Sequence, residues 1–168
     1  MASRAGSKAR FASVASIVLA GTLPFTAPAC SAIQPEVGEL LPACVDADSN
    51  PDPNAKVNFK TQIRPIMNGD VPGPKPCAAC HYETRGSKEG LLASGLNLET
   101  LLTLKAGGRE TRDAIVVPRK PCSSVIVQKL RGTFSGARMP KGGPYWSPEQ
   151  VQLMIDWIAE GAEGANTD

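Results

Sequence analysis

Residues 75–84 read Lys-Pro-Cys-Ala-Ala-Cys-His-Tyr-Glu-Thr, and His81 is the only histidine among 168 residues. Two thiols three apart, with an imidazole beside the second, could serve four chemistries. A zinc site needs about four ligands, so Cys77, Cys80 and His81 would have to borrow Cys44 or Cys122. Adjacent side chains on a turn also point apart, which suits one tetrahedral ion poorly. A redox dithiol of the thioredoxin kind needs a preceding strand and a sheet, and the sequence around Cys77 offers neither. A Cys77–Cys80 disulfide closes a strained small ring and leaves His81 without a role. The fourth chemistry, covalent attachment of a c-type haem, uses all three groups. Cys77 and Cys80 on one helical turn form thioethers to the two vinyl groups. His81 then lies beneath the ring as the proximal iron ligand. One haem c per chain is the expected cofactor.

A sole histidine also bears on the other side of the iron. Bis-histidine ligation within one chain is impossible, and a single motif excludes a second haem of this type. Methionine sulfur is the usual partner that raises haem potential. Met1 leaves with the export signal, Met67 is too close in sequence to reach the opposite face easily, and Met154 falls on an apolar helical stripe. Met139, in Gly136-Ala-Arg-Met-Pro140, sits in a glycine-rich loop that Pro140 would stiffen. It is the expected distal ligand. Tyr82, Tyr145 and Trp146 are candidate hydrogen-bond partners of a propionate, or else half-buried aromatics. No second histidine stands by as a distal acid–base, so an electron carrier is expected rather than an enzyme. The alternative is a haem-based sensor or small-ligand binder with a displaceable sixth ligand, which carbon monoxide binding would distinguish. A scaffold lipoprotein with a vestigial haem is a third possibility.

The elements that must hold these residues read as all-α. Phe59, Ile63 and Ile66 or Met67 share one helical face in 57–67, with Pro65 ending or kinking the helix. Residues 68–76 form a loop, Cys77 opens a short helical segment, and a glycine-containing connection follows. Helical spacing runs over Leu96–Leu104 and stops at Gly107-Gly108. Ile115–Pro118 is short and extended, and Ser123 or Ser124 caps a helix through Leu130. Residues 131–146 are an irregular loop. Ser147-Pro-Glu-Gln150 combines an N-cap, proline at N1 and a capping box, and Val151, Met154, Ile155 and Ile158 form the stripe of a last helix closed by Gly161.

Arg4, Lys8 and Arg10 precede the apolar run Phe11–Leu23, and residues 1–29 contain no acid. This is the pattern of an export signal, which places the protein in a bacterial periplasm or cell envelope. The cut falls before Cys30, where two readings share one bond. Small residues ahead of a cysteine suit lipidation of Cys30 and anchorage to a membrane, whereas Ala27-x-Ala29 also suits ordinary cleavage. The chain carries 18 basic and 16 acidic residues, a balance that argues against nucleic acid as a partner. The basic excess lies in the signal. Residues 30–56, with Pro35, Pro42, Pro51, Pro53 and the polar tract 46–54, read as a tether. The folded part is then 57–162, followed by a tail, 163–168. Lys75, Arg85, Lys88 and Lys141 fall near the haem loops, as a solvated surface or as a rim that steers an acidic redox partner.

Taken together, "VNFKTQIRPIM", "CAACH", "GLNLETLL", "VVP", "ARMP" and "SPEQVQLMIDWIAEGA" resemble the single-haem, class I-like c-type cytochromes known as planctomycete-type cytochrome c domains, over about 57–162. The resemblance implies a small cytochrome c-like fold of three to five helices around one covalent haem c. In that fold the first and last helices cross beside the haem, and His81 and Met139 are the axial ligands. Electron transfer with donor and acceptor proteins is the implied activity. Phe59 and Trp157 would pack near the crossing. Two features depart from the family: Cys122, where a polar residue is usual, and the loop Arg85–Gly90. Cys44 and Cys122 remain once haem and lipid take their cysteines, and they are either a disulfide, which an oxidising compartment permits, or two separate thiols.

Overall fold

A computed structural model describes residues 41–50, 52 and 54–168. The signal 1–29 and the Cys30 anchor lie outside the described residues. Every regular element among the described residues is helical. The side chain of Asn58 accepts from the Thr61 amide and opens a π-helical turn, Phe59–Ile63, which runs into α1, Arg64–Asn68. Pro65, expected to end or kink the helix, stands in the first turn of α1, where the π turn gives way to α-helix. It has no N–H to give to the preceding turn, so the α-helical ladder restarts around it after the wider π turn.

After the loop, α2 (Ala78–His81) is a single turn opened by Cys77. Next comes α3, Glu89–Ser94, within what reads in sequence as part of an intruding loop and connection. It buries none of its residues, so no apolar period announces it. Helix α4 is Leu101–Ala106 rather than Leu96–Leu104. Thr100 and Thr103 form a reciprocal capping box that sets the start, and residues 96–98 stay outside the helix because their backbone serves His81. Two 3₁₀ turns, Arg112–Ile115 and Pro121–Ser123, lead into α5, Val125–Arg131. Ser124 occupies the N-cap of α5 without capping it. Its hydroxyl accepts from Val117 N at 2.8 Å and donates to the Lys120 carbonyl at 3.0 Å. The last helix, α6 (Pro148–Ala159), has the expected Ser147–Gln150 capping box.

The first and last segments meet in the core. Phe59 and Trp157 lie with ring centroids 4.7 Å apart, and Ile63, Val151, Met154 and Ile158 are buried around them. Burial of each such side chain contributes about 1.5–3 kcal/mol. Trp157 Nε1 donates to the Glu163 carbonyl at 2.8 Å.

Two segments expected to lie outside the fold belong to it. The described part of the tether is a strap, joined to the domain by a Cys44–Cys122 disulfide with Cα atoms 5.7 Å apart. Ser49 donates from N and Oγ to Asp156 at 2.9 and 2.7 Å, and Cys122 N donates to Asp46 Oδ1 at 2.8 Å. Within the polar tract the amides of Asn50, Asp52 and Asn54 donate to side chains two residues back. Its alternating Asp and Asn are thus successive turns rather than a loose coil. The tail is held as well, because Leu101 N donates to the main-chain oxygen of Asp168 at 2.8 Å. No helix among the described residues is long and apolar enough to cross a membrane.

Candidate functional site

Helix α2 carries Cys80 and His81 one turn from Cys77, and the following chain folds back over it. Ser87 N donates to the Ala79 carbonyl at 2.7 Å. Gly86 makes that return possible: its φ is +78°, and a Cβ there would lie 2.4 Å from the Ala78 carbonyl oxygen. The backbone then returns alongside His81, where Leu98 N donates to the His81 carbonyl at 3.0 Å.

His81 Nδ1 lies 3.1 Å from the Leu96 carbonyl oxygen. A carbonyl only accepts, so Nδ1 carries the proton and Nε2 of the neutral ring keeps its lone pair. Burial lowers the His81 pKa below the usual imidazole range, and the bond to Leu96 opposes that only in part. Both effects leave Nε2 an available donor to a metal. Residue 90 of α3 is glycine, which lets that helix lie against the imidazole: a Cβ there would stand 2.5 Å from Nε2.

Cys77, Cys80 and His81 line one cavity of about 590 Å³, within the range of about 300–1,000 Å³ common for cofactor sites. Its walls include Leu98, Ile115, Val125, Ile126 and Leu130. Both thiols are free and half-buried. Desolvation pushes the Cys77 thiol up to about 12, against a smaller opposing pull from the Arg64 guanidinium. Cys44 and Cys122, from which a zinc ion would need its fourth ligand, are bonded to each other instead. Among the described residues no three His, Cys, Asp or Glu side chains are grouped to hold a metal ion.

Met139 lines the same cavity. Its amide donates to the Lys129 carbonyl at 2.9 Å, and the neighbouring Arg138 Nε donates to the Leu130 carbonyl at 2.8 Å, so the end of α5 positions the loop. Met67 and Met154 also reach the cavity wall, but both are fully buried core residues on helices. Of the aromatics, Tyr82 donates to Asn68 and accepts from Arg64, and Tyr145 lies beneath the Arg138 guanidinium, 4.2 Å from ring centroid to Cζ. Trp146 differs. It is buried, it lines the cavity, and its Nε1–H has no acceptor. An unsatisfied buried donor costs about 1–3 kcal/mol, so this indole calls for an acceptor such as a carboxylate.

Of the four cations expected near the haem loops, Lys75 and Lys141 line the cavity. Arg85 stacks on the Tyr82 ring at 5.0 Å, and Lys88 precedes α3. Arg109 and Lys129 join the lining without a sequence signal. Gly90 and the Leu96 carbonyl were equally hidden, the first in an unannounced helix and the second in the backbone. No protein-family model, no curated protein and no solved structure matches the chain.

Proposed function

We propose that the protein is an exported electron carrier that holds one covalent haem c, with His81 and Met139 as axial ligands in a cytochrome c-like arrangement. The observation that carries this reading is the neutral His81, with Nδ1 committed to Leu96 and Nε2 free, on the wall of a cavity shared with Cys77, Cys80 and Met139. The residues present fit the group. Two thiols suit thioether bonds, the walls suit an apolar macrocycle, and the orphaned Trp146 Nε1–H suits a propionate.

Bound there, the haem would supply a one-electron ferric–ferrous couple. The chain's own residues do the rest. Cys77 and Cys80 fix the group in place, and Leu96 holds the imidazole in one tautomer and orientation, the kind of support that makes a ligand more basic. Met139 is delivered by a loop braced on α5, and Ile126 and Leu130 keep water from the site. Lys75, Lys129 and Lys141 at the cavity favour an acidic redox partner. A lipid at Cys30 would keep the carrier at a membrane.

The test is expression of residues 31–168 behind an export signal in a host with cytochrome c maturation, followed by intact mass and absorption spectra. The reading expects the mass of one covalent haem and a low-spin ferrous spectrum without a carbon monoxide response. Covalent haem that is high-spin and binds carbon monoxide readily would favour the sensor or ligand binder. A haem-free product would overturn both.

A further inference from the structure

We infer that Arg64 is a positioning residue for the His81 segment and the fixed positive charge that biases the redox balance of the site, an inference that rests on the haem reading above. Arg64 is buried on α1, with 8 % of its surface exposed. Its Nη1 donates to Tyr82 Oη at 2.8 Å and to the Leu98 carbonyl at 2.7 Å, and Nη2 donates to the main-chain oxygen of Asp168. Tyr82 directly follows His81. Leu98 donates its amide to the His81 carbonyl, and Leu96, two residues earlier, accepts the Nδ1 proton. One guanidinium therefore joins the segment that carries the imidazole to the segment that orients it. Tyr82 Oη–H in turn donates to Asn68 Oδ1 at 2.8 Å, back on α1. The Phe59 ring backs the guanidinium, with Cζ 4.8 Å from its centroid.

The charge is a separate matter from the bracing. Arg64 donates to a phenol, to the Leu98 carbonyl and to a main-chain oxygen of Asp168, whose side-chain carboxyl it also helps to hold low, and its buried Nε has no acceptor. A buried cation in a medium of low dielectric keeps part of its field even with the Asp168 carboxyl beside it. That field reaches the Cys77 sulfur, whose ionisation it favours against burial. A haem held there would lose one positive charge on accepting an electron from a one-electron reductant, with no bond made or broken. A fixed cation nearby favours the less positive state, so Arg64 holds the potential up. Lysine would supply the charge without the planar fork that spans Tyr82 and Leu98.

Three mature haem proteins separate these roles: wild type, Arg64→Gln and Arg64→Lys. Mediated potentiometric titration reads the midpoint potential, and electron paramagnetic resonance of the ferric form reads the orientation of the axial imidazole. We expect Arg64→Gln to lower the midpoint and to shift and broaden the resonances. Arg64→Lys should recover most of the potential but not the resonances. A merely structural arginine would leave the midpoint unmoved while both variants melt earlier. Asn68→Asp, which keeps Arg64 and sets a carboxylate beside Tyr82, should also lower the midpoint, and it decides the question should Arg64→Gln fail to mature. Equal potentials across the haem-bearing proteins overturn the role of Arg64 alone. A wild type without covalent haem overturns the reading on which it rests, and this inference with it.

Discussion

Three side chains at the cavity make separable predictions. Met139→Ala should leave haem attached but open the sixth position, seen as high-spin absorption and new carbon monoxide binding. Met154→Leu, a swap of similar volume in the core, should cost under about 1.5 kcal/mol and leave the spectrum unchanged. The reverse pattern would make Met154 the ligand. His81 predicts a pH dependence with a definite sign. Its folded pKa is depressed by burial, so between that value and the ordinary imidazole value of 6.5 the unfolded chain binds the proton more readily. Stability is therefore complete above about pH 6.5 and is lost as the pH falls below it. Iron at Nε2 would act in the same direction. Urea midpoints measured from pH 5 to 7.5 should rise and then level, and a flat profile would show that the imidazole is not held neutral. The thiols, the imidazole and Met139 were all legible as residue types. Trp146 was legible only as one of three aromatics, because a missing acceptor is a property of the folded surroundings.

At the scale of elements, legibility followed apolar periodicity and capping chemistry. Helix α6 has both, a stripe through Val151, Met154, Ile155 and Ile158 and a complete Ser147–Gln150 box, and its start was readable. Helix α3 has neither, and it supplies the wall opposite the imidazole edge. Gly90→Val should therefore disturb His81 from a helix with no sequence signature. Overpacking of this kind costs about 1–3 kcal/mol, and it should appear as lower thermal stability together with reduced haem incorporation. Normal incorporation would mean that α3 yields easily. Helix α4 starts later than its apolar period for a related reason. Leu96 and Leu98 fit a helical period, yet their backbone is already engaged by His81, and a tertiary hydrogen bond outweighs a local preference.

For the molecule as a whole, the polar tract 46–54 has the composition of a linker, but its Asx turns and a disulfide across 78 residues fasten it to the domain. Cys44→Ser with Cys122→Ser should cost about 2–4 kcal/mol of stability by releasing that loop, measured as a lower denaturant midpoint. It should leave the haem spectrum unchanged, because neither cysteine lines the cavity. A spectral change would instead tie the strap to the site. The strap also ties Ser49 to Asp156 on α6, the helix that carries Trp157 into the core. In the reading proposed above, this body would enclose one haem c between His81 and Met139. The most direct test of that reading is the intact mass of the exported, matured protein, taken together with its ferric and ferrous absorption spectra. The account predicts the mass of one haem bound through Cys77 and Cys80, a low-spin ferrous spectrum and the red charge-transfer band of methionine–iron ligation. A haem-free mass from a host that matures other c-type cytochromes would contradict it.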